Sequence, residues 1–228
     1  RERVMKTIDL KEPDRIPVDF GGVVSGIVDG EPYGYQALCD YLGIDDPETP
    51  QINSRLNCVQ NVDERILERF NADIRHLNMG GRPLEELPNG LYRDMWGIVL
   101  KQSGMYKSIP DQLAPLREAS TVEEIEHYEY WPDPGDPAFV EGKREEARRL
   151  QEETDYAVFS HPGYAARVFH MYAALRGFDK WMMDMKMNPE FYHQFSEKIL
   201  EVAIDVTEAF YAEVGDYTDV SVYYDDMG

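Results

Sequence analysis

The sequence predicts an α/β fold built on a parallel β-sheet, because strand-like and helix-like segments alternate along the chain. Parallel neighbours must be joined by a crossover, and helical patterns stand between the successive strand-like segments. The strand character comes from apolar runs, or from alternating apolar and polar residues, bounded by turn-forming residues. The four strand-like segments are residues 15–20, 72–77, 156–161 and 219–224.

Helical periodicity and helix-end signals mark the crossovers. Gly43 follows an apolar stretch and is typical of a helix C-terminus. Thr121 and Glu124 have the spacing of a capping box, and Asn188 followed by Pro189 is a helix start signal. The longer predicted helices cover residues 1–10, 35–42, 62–70, 139–153, 164–176, 178–187 and 188–214.

Residues 91–110 interrupt this alternation. Two strand-like stretches flank Ser103 and Gly104, which indicates a β-hairpin inserted into the main fold. The remaining elements match about the first half of an eight-stranded (β/α)8 TIM barrel, and we predict one domain over residues 1–228. Because half a barrel leaves its last strand with an open edge, we expect more sequence beyond Gly228 to close it.

Composition and charge narrow the class of partner. The 228 residues are 43% hydrophobic and 12% aromatic, enough for a sizeable core. The net charge is −21, which disfavours nucleic acid as a partner. Membrane helices need about 20 apolar residues in succession, and no such run occurs, so we expect a cytoplasmic protein. Cys39 and Cys58 match no metal or disulfide pattern and are predicted to be buried thiols.

Candidate site residues follow from the position of active sites in such barrels, at the carboxyl ends of the strands. The catalytic candidates are Asp225, Asp226 and His161, and the substrate-binding candidates are Asp19, His76, Tyr164 and Arg167.

The candidates near the later strands each have a structural alternative. Asp225 and Asp226 project in different directions, so one can orient a substrate or a metal-bound water; the alternative is that one caps the next helix and the other is solvated. His161 ends the third strand, where it can hold a proton or serve as a hydrogen-bonded core residue. Tyr164 and Arg167 lie on the first turn of the following helix, within reach of the same cavity.

Two further candidates lie on the first two strands. His76 alternates with Arg75, so one of the two is expected to face the barrel interior or its mouth. Asp19 precedes a Gly-Gly pair, where the alternative is a hydrogen-bonded turn residue.

Six short segments, each weak alone, occur in a recognisable order. They are residues 1–4 (RERV), 12–18 (EPDRIPV), 94–97 (DMWG), 130–134 (YWPDP), 175–191 and 224–228 (YDDMG). As an ordered set they resemble the uroporphyrinogen decarboxylase superfamily over nearly the whole chain. The resemblance implies a (β/α)8 barrel of which this chain is the N-terminal part.

The superfamily has two main activities, and the resemblance favours one of them. Its decarboxylases carry an arginine-rich Met-Arg-Gln-Ala-Gly-Arg motif after the first strand, which binds substrate carboxylates, and an aspartate after the second. Here residues 19–24 are acidic and apolar, and residues 77–80 contain no acid. The resemblance therefore implies a methyltransferase, which moves a methyl group between a small substrate and a corrinoid carried by a partner protein.

Cofactors and alternatives follow from the same resemblance. Zinc in these methyltransferases is held by a His-x-Cys motif and a further Cys on later strands, so we expect no metal site within residues 1–228 and zinc only with residues downstream. The alternatives are a uroporphyrinogen decarboxylase of porphyrin biosynthesis and a non-catalytic barrel that binds a small molecule or a corrinoid. A homodimer is compatible with the sequence, which leaves the oligomeric state open.

Overall fold

The architecture is that of a computed structural model, which describes residues 1–20, 27, 34–53, 58–104 and 106–225, without the side chains of 51–53, 58, 164 and 165. The helices and strands in these residues, in chain order, are α1 Glu2–Ile8, α2 Tyr35–Leu42, β1 Gln51–Asn53, β2 Cys58–Asn61, α3 Glu64–Arg69, β3 Ile74–Asn78, β4 Glu85–Leu87, β5 Leu91–Arg93, β6 Val99–Ser103, β7 Tyr106–Ser108, α4 Val122–Glu126, α5 Lys143–Glu153, β8 Ala157–His161, α6 Val168–Arg176, α7 Phe178–Met187, α8 Pro189–Val214 and β9 Val220–Ser221.

The mixed α/β class with a parallel sheet is confirmed. Strands β3, β8 and β9 form a parallel sheet in that order. Ile74 pairs with Ala157 at one end of the β3–β8 pair, and Asn78 pairs with His161 at the other. The intervening connections contain the helices that a parallel sheet requires.

The prediction of a β-strand at residues 15–20 is wrong. Arg15 lies in a bend, and residues 16–20 have no regular secondary structure. Pro17 lacks an N–H and cannot donate to a ladder. Instead, two bonds meet at Val18: its carbonyl accepts from the Asp73 N–H at 2.8 Å, and its N–H donates to the Asp73 carboxylate at 2.8 Å. The segment is thus fastened beside the start of β3 at one residue.

Asp73 also accepts hydrogen bonds from two arginines of the N-terminal segment. Arg15 donates to both carboxylate oxygens, at 2.7 and 2.9 Å, and Arg3 donates to one of them. Burial raises the pKa of Asp73, but the bonds from the Val18 N–H and the two arginines outweigh it and hold the pKa below its usual value. Asp73 is therefore a buried carboxylate that stays ionised.

Two compact units divide the chain. The first comprises Arg1–Met79, Gly142–His161 and Glu213–Val222, and so contains the parallel sheet. One of its apolar clusters lies around α2, β2 and α3, with Cys39 and Ile66 fully buried. Cys39 is a buried free thiol, as predicted, whereas the side chain of Cys58 lies outside the described residues.

The second unit comprises Gly80–Glu141, Pro162–Ala212 and Tyr223–Gly228. Its antiparallel sheet has the order β4-β5-β6-β7, and β6 and β7 form the predicted hairpin with Gly104 in the left-handed region. The sheet begins earlier than predicted, because β4 and β5 extend the hairpin. The predicted helices α6, α7 and α8 follow, and α4 begins with the predicted capping box.

Within the described part of the chain, no helix combines the length and the apolar character that crossing a membrane requires.

Replacing Asp73 by Asn should destabilise the first unit. The amide keeps the shape of the side chain but loses the charge that accepts from two arginines, at a cost of about 2 kcal/mol. The loss should be largest above pH 4 and smaller below it, since a carboxylate with a lowered pKa stabilises the fold only where it is ionised. Urea unfolding at several pH values measures this change.

The matched control is Asp14→Asn, because Asp14 also pairs with Arg3 but is exposed. Little change is expected there, since exposed ion pairs contribute little. Equal destabilisation by the two substitutions would contradict the role assigned to Asp73.

Candidate active site

Three of the candidate residues from the sequence lie together in the first unit. His76 Nε2 is 2.6 Å from Asp19 Oδ1, and His76 Nδ1 is 2.7 Å from His161 Nε2. The three side chains thus form one continuous hydrogen-bonded chain, called here the Asp–His–His relay. Asp19 is its exposed end, with 46% of its side chain accessible, and His161 is its buried end, at 3%.

The sheet positions the two histidines. Register pairs His76 with Phe159, and Asn78 with His161. Because side chains alternate along a strand, these four residues share one face of the sheet. His76 and His161 therefore point to the same side, with His161 at the carboxyl end of β8, while Arg75 points to the other side and pairs with Glu64.

Asp19 is held from both sides. Val18 is fastened to Asp73 as described above, and the ring of Phe20 stacks on the ring of Phe70 with centroids 4.7 Å apart. These two anchors bring the Asp19 carboxylate to His76, where sequence spacing alone predicts no contact. The relay thus depends on packing between residues more than 50 positions apart.

Proton positions follow from the chemistry of the three groups. An ionised carboxylate only accepts hydrogen bonds, so His76 Nε2 donates to Asp19. In neutral His76 the Nδ1 atom must then accept, and His161 Nε2 donates to it. The remaining ring atom, His161 Nδ1, carries a lone pair.

His161 Nδ1 is the unsatisfied end of the relay. The atom is buried and has no hydrogen-bond partner among the residues that the structure describes. Burial and the neighbouring His76 lower the pKa of His161 from 6.5 to about 3, and Asp19 opposes this only in part. The imidazole is therefore neutral near pH 7, and its unpaired nitrogen costs about 1–3 kcal/mol unless a ligand satisfies it.

The relay can accept a proton without leaving the charge on His161. A proton taken up at His161 Nδ1 is matched by transfer of the Nε2 proton to His76 Nδ1. The positive charge then lies on His76, beside the Asp19 carboxylate, where an opposite charge stabilises it. A histidine that is itself a weak base can in this way pass a proton between a ligand and the Asp19–His76 pair.

Asn78 is a site residue that the sequence did not reveal. It is 1% exposed, its Nδ2 donates to Asn61 Oδ1 at 2.9 Å, and its Oδ1 has no partner among the described residues. It pairs in register with His161, so two buried acceptors without donors lie at the ends of adjacent strands. The only signal in the sequence is that Asn78 directly follows the strand-like segment 72–77. The resemblance points to an acidic residue at this place and gives no role to an asparagine.

A cavity of about 460 Å³ is lined by one member of the relay, His76, but not by His161 or Asn78. Its lining includes His76, which bonds to His161, and Asn61, which bonds to Asn78. The charged side chains around it are mainly acidic, namely Glu48, Glu64, Glu68 and Glu146 against Arg75 and Arg149.

The other candidates belong to the second unit or lie outside the described residues. The side chain of Asp225 is buried and accepts from His170 Nδ1 at 2.8 Å and from the Phe169 N–H, in the first turn of α6, at 2.9 Å. The guanidinium of Arg167 lies 3.7 Å from the ring centroid of Tyr224. Asp226 and the side chain of Tyr164 lie outside the described residues.

The donor set does not fit a metal ion. No group of three or more His, Cys, Asp or Glu residues able to hold one occurs in the described part of the chain. In the relay itself, both nitrogens of His76 are occupied by Asp19 and His161, which leaves a single open nitrogen.

Comparisons of this chain with protein-family models, with curated proteins and with solved structures find no significant match.

Replacing His161 by Gln should flatten the pH dependence of stability. In the wild type, the unfolded chain binds a proton near pH 6.5 and the folded chain only near pH 3, so stability falls as the pH is lowered between these values. The glutamine side chain would keep an N–H donor for His76 but cannot titrate, so the slope should decrease by up to about 1.4 kcal/mol per pH unit.

The measurement is chemical unfolding between pH 7 and pH 4. The control is His193→Ala, because His193 is an exposed histidine on α8 and should keep the wild-type slope. If the His161→Gln and wild-type slopes coincide, His161 is not held neutral by burial.

Proposed function

We propose that this chain is the N-terminal part of a (β/α)8 barrel of the uroporphyrinogen decarboxylase superfamily, and that the protein is a corrinoid-dependent methyltransferase. The ordered set of six segments supports the family, and the parallel β3-β8-β9 sheet, with polar residues at strand ends, is what such a barrel requires. The lack of an arginine-rich carboxylate clamp in residues 19–24 supports the methyltransferase over the decarboxylase.

The observation that carries the proposal is the Asp–His–His relay with its open His161 Nδ1. Methyl transfer to a thiol or a hydroxyl releases one proton, and methyl transfer from a methyl ether consumes one. A buried group that accepts a proton at one atom and stores its charge at another serves both directions.

The residues act as follows. When the corrinoid is bound on its carrier protein, it supplies the cobalt that gives or takes up the methyl group. His161 Nδ1 accepts the proton of the acceptor as its sulfur or oxygen forms the new bond to the methyl carbon. His161 Nε2 passes its proton to His76, and Asp19 stabilises the resulting imidazolium. In the reverse direction His161 returns the proton to the leaving oxygen.

No step is assigned to zinc, because the ligands that the resemblance implies for it lie on later strands, outside residues 1–228. Asp225 is proposed as a positioning residue, since it orients His170 and the first turn of α6. Its replacement by Asn should also reduce turnover, by about tenfold, because the first turn of α6 loses the carboxylate that holds it.

The experiment is methyl transfer by the full-length protein with free cobalamin as the corrinoid probe. Cob(I)alamin is offered with methoxylated and methylated donors, and methylcobalamin with small thiols, and the visible spectrum reports the methyl–cobalt bond. Transfer in either direction supports the proposal. Release of carbon dioxide from uroporphyrinogen without methyl transfer would replace it by the decarboxylase, and neither reaction would leave a binding protein.

Removing the open nitrogen should abolish most of the activity while preserving the fold. His161→Gln keeps the donor to His76 but cannot take up a proton, so the methyl transfer rate should fall by about a hundredfold, the usual contribution of a general base. Asp19→Asn should lower the rate less, by about tenfold, because it only destabilises the imidazolium.

His193→Ala serves again as the matched control and should retain the wild-type rate. A full rate in both His161→Gln and Asp19→Asn would remove the relay from the mechanism. A loss in His161→Gln accompanied by a large drop in thermal stability would be attributed to folding, so both variants are compared at equal folded fraction.

A further inference from the structure

Two buried acceptor atoms lie at the carboxyl ends of the neighbouring strands β3 and β8. His161 Nδ1 and Asn78 Oδ1 are buried atoms without hydrogen-bond donors among the described residues. Buried polar groups are almost always paired in folded proteins, so an unpaired one requires an explanation, of which a ligand or an ordered water that completes the bonding is one. Here two exceptions occur at register partners, on neighbouring strands about 4.8 Å apart.

Both side chains are held in place by bonds that leave the acceptor atom open. Asn78 is fixed through its amide nitrogen, which donates to Asn61 Oδ1 at 2.9 Å. His161 is fixed through Nε2, which bonds to His76 at 2.7 Å. Fixed side chains bind with little loss of rotamer freedom, so the pair forms a preorganised two-point acceptor.

The charges nearby select the ligand further. Asp19 lies at the far end of the relay, and the cavity lined by the bonding partners His76 and Asn61 carries four glutamates and two arginines, of which Arg75 is paired with Glu64. A carboxylate or sulfonate would meet lone pairs and negative charge. A neutral or cationic group would instead donate hydrogen bonds and reduce the local charge imbalance.

We propose that His161 and Asn78 form a two-point acceptor site that selects a small neutral or cationic thiol or alcohol with a second N–H or O–H donor, and that it discriminates against anionic thiols. This specificity rests on the proposed function, since the thiol or hydroxyl proton is the one that His161 accepts. The second donor, an ammonium or hydroxyl group of the same molecule, bonds to Asn78 Oδ1. Asn78 is thus a specificity-determining residue.

The test is calorimetric titration of the full-length protein, without corrinoid, with three thiols of similar size. They are 2-aminoethanethiol (cationic), 2-mercaptoethanol (neutral) and 3-mercaptopropionate (anionic). The cationic thiol should bind at least about tenfold more tightly than the anionic one, with the neutral thiol between them, since a hydrogen bond from a charged donor is stronger than one from a neutral donor. Equal or tighter binding of 3-mercaptopropionate would overturn the proposal.

Two substitutions at Asn78 separate its contribution. Asn78→Leu removes the acceptor and should weaken 2-aminoethanethiol by about tenfold. Asn78→Asp keeps an oxygen and adds a negative charge, so the preference for the cation over the anion should widen. Gln102→Leu, which removes an exposed amide on β6, should leave all three affinities unchanged. Unchanged affinities in both Asn78 variants would overturn the assignment.

A second readout needs no variant of Asn78. In the nitrogen-15 NMR spectrum of the wild type, the Nδ1 resonance of His161, assigned by its absence in His161→Gln, should shift with 2-aminoethanethiol at concentrations at which 3-mercaptopropionate leaves it unchanged. No shift with either thiol would also overturn the proposal. The thiol titration contains no corrinoid and is therefore independent of the methyl transfer assay. Selectivity among the thiols without methyl transfer in that assay would refute only the proposed function. Methyl transfer without selectivity among the thiols would refute only this inference.

Discussion

The Asp73 carboxylate is the interaction on which the candidate site depends. It lies just before β3, is almost fully buried, and accepts bonds from the Val18 N–H and from Arg15 and Arg3. A buried charge is costly unless it is paired, and here the pairing partners all come from the N-terminal segment. Fastening that segment at Val18 places the next residue, Asp19, against His76. An ion cluster at the amino end of β3 thus positions the Asp19 carboxylate at His76, in the middle of the same strand.

The relay joins two environments that a single histidine cannot combine. Burial keeps His161 neutral and leaves the lone pair of its Nδ1 atom available, but it also makes the protonated form of His161 unfavourable. The bond to His76 resolves this conflict, because the charge can move toward Asp19, the exposed end. The low dielectric around His161 strengthens its hydrogen bonds, while the exposed Asp19 carboxylate stabilises a positive charge on His76.

Much of the fold was predictable from local signals. The helix ends at Gly43, the capping box of Thr121 and Glu124, and the turn at Gly104 are short-range features whose physics lies within a few residues. The first strand-like segment does not form a strand because Pro17 lacks a donor and because, in the described part of the chain, the backbone of this segment bonds to the start of β3 only at Val18, which apolar patterning does not reveal. The relay members were each predicted as site residues, but His76 and Asp19 only as substrate-binding groups.

The sequence by itself determined the class of fold, the acidic character of the chain, and that His76, His161 and Asp19 stand near the carboxyl ends of strand-like segments. These follow from composition and from periodicity along the chain. Only the tertiary structure decided that the three form one hydrogen-bonded relay, that Asn78 is the register partner of His161, and that both present open acceptors. Such contacts join residues up to 85 positions apart, and strand register, which sets them, depends on packing across the whole sheet.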